Sequence, residues 1–178
     1  MLLYSPNSNL PLLWAKFRYL GKIAYKREDF NRAENLLLES LAGALAFDGH
    51  ELAALNYDIL ARIQMVQNNS AQAKELFQAA LRAARWPVSL LTCLASIAEL
   101  FIGEGKQKEA ALLTTFIINH PATTARVKER AKQLLTRLES QHSPDELEKV
   151  GQRSQHSDLD SLAAQLVVDL KNFGTHLD

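Results

Sequence analysis

The sequence predicts an all-α fold: an α-solenoid of antiparallel helix pairs closed by C-terminal capping helices. Three observations predict it. Apolar residues recur at spacings of three and four along most of the chain, the period of an amphipathic helix. Turn chemistry interrupts them at short intervals: Glu28-Asp29, Asp48-Gly49, Asn68-Asn69-Ser70, Trp86-Pro87, Gly103-Glu104-Gly105 and His120-Pro121. One pattern also returns forty residues on. Phe17-x2-Leu20-Gly21-x2-Ala24 with Ala33-x3-Leu37 is followed by Tyr57-x2-Leu60-Ala61-x2-Gln64 with Ala73-x3-Phe77. Such a period belongs to stacked helix pairs, none of which can bury its apolar face alone.

The elements follow in order. Residues 1–9 read as the frayed end of the array, as if an earlier repeat had preceded them. Helix one, 10–27, carries Leu13, Phe17, Leu20 and Ala24 on one stripe, with Lys16, Lys22 and Lys26 off it. Helix two, 30–47, starts behind the acids Glu28-Asp29, which suit an N-terminus, and runs on Phe30, Ala33, Leu37, Leu41 and Leu45. Helix three, 50–67, uses Leu52, Leu55, Leu60 and Ile63, with Tyr57 and Met65. Ser70 can cap helix four, 71–85, built on Ala73, Leu76, Phe77, Ala80 and Leu81. Pro87 suits the first turn of helix five, 87–103, with Leu91, Leu94, Ile97, Ala98 and Phe101. Helix six, 106–119, uses Ala110, Leu113 and Ile117 and stops at His120-Pro121. Helix seven, 123–139, sets Val127, Ala131, Leu134, Leu135 and Leu138 against many charges, as a solvent-facing cap should. In the tail, Ser143-Pro144-Asp145-Glu146 is a capping box that predicts a short helix to about Val150, stopped by Gly151. A loop, 152–157, precedes a last helix from Asp158 to Asn172 with Leu159, Leu162, Leu166 and Leu170 on one face. That stripe needs a partner, and the last repeat with helix seven is the nearest one.

Composition narrows the class. The 178 residues are 47% hydrophobic and 22% charged with zero formal net charge, so no global field pulls the chain toward nucleic acid or membrane. The opening Met1-Leu2-Leu3-Tyr4 lacks a basic region and is broken at Ser5-Pro6, unlike a signal peptide. No apolar run approaches the ~18 residues of a membrane span. The single cysteine, Cys93, permits no internal disulfide and fits a reducing compartment, so the expected location is cytoplasmic.

The small residues fix a register. Gly21 to Ala33, Ala61 to Ala73 and Ala98 to Ala110 are each 12 apart, and the second members follow one another at 40 and then 37. Small residues at fixed offsets let two helix backbones approach, with Leu20 and Leu37, Leu60 and Phe77, Ile97 and Leu113 filling the space around them. This register resembles the tetratricopeptide repeat (TPR), W-x2-L-G-x2-Y…A-x3-F…P, over residues 10–121. The match departs from the pattern at Phe17, Tyr57 and Leu94, which stand in place of Trp, and at Thr114, which stands in place of Phe. The period is longer than usual, and in this the chain is similar to the long-helix, MalT-like type found in the C-terminal sensor region of bacterial signal-transducing ATPases and transcription regulators. The resemblance implies a TPR-like superhelix over 1–140, with repeats at about 10–48, 50–86 and 87–121 and a capping helix at 123–139, followed by a helical tail over 141–178.

The resemblance also implies where a partner binds. The first helix of each pair would build a concave face from Arg18, Lys22 and Tyr25, then Leu55, Asp58, Arg62 and Met65, then Glu99, beside Ala15, Thr92, Ala95 and Ile102. Bases, aromatics, Met and acids together suit a peptide or helix. The expected role is protein–protein interaction or ligand sensing, as the regulatory part of a larger bacterial signalling or transcription protein. Its partner is a protein or peptide, other domains of the same protein included. A self-standing peptide-binding scaffold is the first alternative, and nucleic-acid contact through the basic helix 123–139 the second. The carboxylate clamp of some TPR proteins is not matched, because only Arg18 and Lys22 of the five positions 18, 22, 59, 92 and 96 fit.

No enzymatic chemistry, cofactor or metal is expected. Gly103-Glu104-Gly105-Lys106 is a turn between helices and lacks the spacing of a phosphate loop. His50-Glu51 has Ala54 where a second zinc-binding His would stand. Cys93 sits inside an apolar helix and reads as packing. Charge is uneven: residues 1–138 hold 17 bases and 12 acids, residues 139–178 hold 3 bases and 8 acids. An acidic tail can therefore favour a basic helix seven, though modestly.

Overall fold

The computed structural model describes residues 10–140 and 158–172. The capping box at 143–146, the short helix after it and the 152–157 loop lie outside them. The described residues form eight helices and no strand: α1 (Leu10–Lys26), α2 (Phe30–Ala46), α3 (His50–Val66), α4 (Ser70–Ala83), α5 (Pro87–Gly103), α6 (Gln107–Asn119), α7 (Ala125–Glu139) and α8 (Leu159–Asn172). The expectation of an all-helical chain is met, and the boundaries fall within two residues of those predicted for the first seven helices. No described helix is long and apolar enough to cross a membrane. The chain divides between Arg85 and Trp86 into two compact units.

In the first unit α1 packs on α2, α3 on α4, and α3 also lies against α2 and touches α1. Its three turns are chemically alike. Glu28, Asp48 and Asn68 each adopt positive φ, at 61°, 52° and 61°. Each reverses the chain after a helix so that the next amide reaches back: Asp29 N–H to Ala24 at 3.1 Å, Gly49 N–H to Ala44 at 2.8 Å, Asn69 N–H to Gln64 at 2.9 Å. These bonds satisfy carbonyls that a helix end leaves open. Asp29 then caps α2, accepting from Arg32 N–H at 3.3 Å. Ser70 is not the cap of α4. Asn69 stands in the capping position, and its side chain donates to Gln64 Oε1 at 2.9 Å instead.

The small-residue register is a real packing feature. A Cβ on Gly21 would stand 2.8 Å from Leu37 Cγ. Ala33, Ala61, Ala73, Ala98 and Ala110 are fully buried. The core of the first unit joins Ala24, Leu37, Leu41 and Ala44 to Leu60 and Ile63. Two details depart from the predicted stripes. On α1, Leu13 and Leu20 are exposed, and the buried side turns toward Trp14, Gly21 and Ala24. On α2, Leu45 is exposed while Gly43 is buried. The reason is Trp14: its indole lies on Gly43, where a Cβ would come 2.1 Å from Cδ2.

In the second unit α6 and α7 both pack on α5 and on each other, and α8 packs on α5. Gly105, at φ 75°, reverses the chain after α5, and Lys106 N–H reaches Phe101 at 2.8 Å. Helices α4 and α6 end differently, on an extended Ala84 and an extended His120; Pro121 holds His120 extended, as Pro87 holds Trp86 at the start of α5. Thr114, in place of an aromatic, is fully buried and donates to Ala110 O at 2.9 Å and Ala111 O at 3.0 Å, which satisfies its hydroxyl. The tail helix docks through Leu159, Ala163, Leu166 and Leu170, with Leu162 at the edge of the buried stripe. Its seat is α5.

Candidate functional site

Seven of the eight residues predicted to bind a partner lie in the first unit. Arg18, Lys22 and Tyr25, at spacings of four and three, share a face of α1. Leu55, Asp58, Arg62 and Met65 share a face of α3. The contact between α1 and α3 brings the two faces together at one point that the structure defines well: Arg62 Cζ stands 4.8 Å from the centroid of the Tyr25 ring. Stacking a guanidinium on an aromatic face is favourable by roughly 0.5–1 kcal/mol at such a site. Arg18, Lys22, Tyr25, Leu55, Arg62 and Met65 are all half-buried.

Asp58 departs from the expected surface role. It is 3% exposed, so its carboxylate belongs to the interior behind the face. A buried carboxylate is tolerated only when paired or hydrogen-bonded, and it favours cations on the rim. The resulting surface is mixed. Arg18, Lys22 and Arg62 supply donors and no acceptors, Tyr25 supplies an aromatic plane, and Leu55 and Met65 supply apolar contact. Such a set can hold a carboxylate beside an apolar side chain. It offers no pairing of nucleophile and base.

Glu99 stands in the second unit and is engaged there. Arg130 of α7 donates to its Oε2 at 2.5 Å and to Ser96 Oγ at 3.0 Å. Thr92 is half-buried, and Ala95 and Ile102 are buried. The α5 face that the resemblance implied therefore meets α7 of its own unit. The same contact removes Arg130 from the basic set of α7, leaving Arg126, Lys128, Lys132 and Arg137 exposed. Cys93 is buried, and among the described residues no group of three His, Cys, Asp or Glu is placed to hold a metal.

Sequence reasoning missed a polar chain through the first unit. Ser40 Oγ donates to the carbonyl of Trp14 at 2.7 Å, and Asn56 Nδ2 donates to Ser40 Oγ at 2.9 Å. Both side chains are fully buried. No local pattern announces that chain; only the neighbouring Trp14 contact has a signal, Gly43, since a Gly inside a helix costs stability unless something needs its missing Cβ. Comparison with family models, with curated proteins and with solved structures gives no match.

Proposed function

We propose that the chain is a TPR-like interaction module of the long-helix type, an α-solenoid whose partner is a protein or peptide. The observation that carries this reading is the Arg62–Tyr25 stack, which joins the first helices of two successive pairs into one half-exposed face of mixed chemistry. The repeat register supports it: first-helix turns with left-handed residues fall at Glu28, Asn68 and Gly105, at the same 40 and 37 intervals as the small residues. On this reading the module is non-catalytic and cytoplasmic. It regulates a larger bacterial signalling or transcription protein by binding a partner or another domain of that protein. A self-standing peptide scaffold uses the same face. Nucleic-acid contact through α7 is the weaker reading, because Arg130 turns inward to Glu99.

The test uses peptides selected from a random library against the whole chain. Their affinities are then measured for wild type and for Arg18→Glu/Lys22→Glu. A loss of about tenfold or more is expected with the helical circular dichroism unchanged, since close charge pairs at an interface couple strongly. Unaltered affinity in the double variant moves the site away from this face.

A further inference from the structure

A second face of α1 is built like an interior surface and is left open among the described residues. It comprises Leu12, Leu13, Lys16, Tyr19, Leu20 and Ile23, on the side away from Arg18 and Lys22. Leu12 is 57% exposed, Leu13 40%, Tyr19 63% and Leu20 48%. The residues forty positions later on α3 are Leu52, Ala53, Asn56, Ile59, Leu60 and Ile63. Five of these six are buried, with Ala53 and Ile63 fully so and Leu60 at 3%. α2 packs on α3 and shares its core cluster, with Leu76 and Ala83 of α4 beside it.

The two faces also correspond in their one polar position. At the centre of the α3 face Asn56 bonds Ser40 of the covering helix at 2.9 Å. At the centre of the α1 face the equivalent residue is Lys16. A helix seated on α1 as α2 is seated on α3 would place the counterpart of Ser40 against an ammonium, and a carboxylate there satisfies it. The charge around the face agrees. Lys16 and Lys26 lie on this side of α1, both exposed, and α1 carries no acid, so a second copy of α1 would meet like charges.

We infer that the Leu13–Leu20 face of α1 docks an acidic amphipathic helix of a partner, seated as α2 is seated on α3, with one carboxylate of its apolar stripe paired to Lys16. The surface is separate from the Arg18–Arg62 face and stands whether or not that face binds anything.

The structure itself supplies the probe: a synthetic peptide of residues 30–46, linked across its solvent face to hold it helical, with Ser40→Glu. Binding to the full chain is read by fluorescence anisotropy. Leu20→Asp and Leu12→Asp, both on exposed side chains, are each expected to weaken it about tenfold or more. Lys16→Glu is expected to weaken it up to about fivefold and to transfer the preference to the Ser40→Lys peptide. A thermal melt confirms that each variant folds, and the Lys16 preference swap reads the site even if a leucine variant does not. Three results overturn the proposal. The peptide does not bind; it binds with all three variants unchanged, as it would by displacing α2 from α3; or the wild-type chain self-associates and Leu20→Asp makes it monomeric, which assigns the face to a second copy.

Discussion

Helices α1 and α5 occupy the same place in the repeat register and differ in almost every other respect. Along α5 twelve of seventeen residues are buried, and its single charged residue, Glu99, is held by Arg130. Along α1 the exposed bases Lys16 and Lys26 stand beside exposed Leu12, Leu13, Tyr19 and Leu20. Leu20 and Ile97 align in the register, yet one is 48% exposed and the other fully buried. Register therefore says which residues can face a neighbour. The neighbours say whether they do: α6, α7 and α8 all pack on α5.

The largest test of that contrast is truncation at the aligned position. Leu60→Ala and Ile97→Ala each remove a buried side chain and should cost about 2–5 kcal/mol. Leu20→Ala should cost less than about 1 kcal/mol, because much of that side chain is already in water. Urea denaturation of the three variants decides it, and equal costs would break the comparison. Next in size are the tight spots. Gly43→Ala drives a methyl into the Trp14 ring and should destabilise by about 1–3 kcal/mol, with a change in tryptophan emission as the indole shifts. Ala73→Leu, at a fully buried site, should cost a similar ~1–3 kcal/mol by calorimetry, and an unchanged melt would remove it from the helix contact.

Smaller effects separate the charged contacts. Arg130→Ala breaks a pair with a half-exposed Glu99, so the loss should stay within about 1 kcal/mol and shrink at high salt. The smallest concerns Asp158 at the start of α8. Ser161 donates to it from its hydroxyl at 2.5 Å and its amide at 2.9 Å, and these bonds hold the carboxyl below its usual range. A lowered carboxyl contributes stability above its unfolded pKa and loses it as pH falls through the folded value. Asp158 is fully exposed, so the expected effect is slight: α8 undocks more readily below about pH 4, and Ser161→Ala flattens that dependence. A pH series of melting temperatures for the two proteins measures it.

Much of this fold was legible because its punctuation is chemical. Asp48-Gly49, Asn68-Asn69 and Gly103-Glu104-Gly105 mark helix ends, and the structure puts left-handed residues at 48, 68 and 105. The small residues were legible for a related reason, since a fixed offset of Gly and Ala has few causes besides close helix contact. What could not be read was cover. Periodicity places Leu13, Leu20 and Leu45 on apolar stripes, but only a neighbouring helix buries them, and among the described residues these three have none. Asp58 is the opposite case: a charged residue on a helix reads as solvated, and its burial depends on how α3 packs in the unit. The pairing of Glu99 with Arg130, 31 residues apart, has no local signal at all.

Solvent access at the three aligned positions 20, 60 and 97 separates α1 from α3 and α5. In a Cys93→Ala background, which removes the only thiol, a cysteine is introduced singly by Leu20→Cys, Leu60→Cys and Ile97→Cys. Labelling of the native protein by a soluble thiol reagent is then timed. Labelling should be fast at 20 and slowed by orders of magnitude at 60 and 97, where the reagent must wait for local opening. Similar rates at the three positions would contradict it, because the aligned face of α1 would then be as well covered as those of α3 and α5.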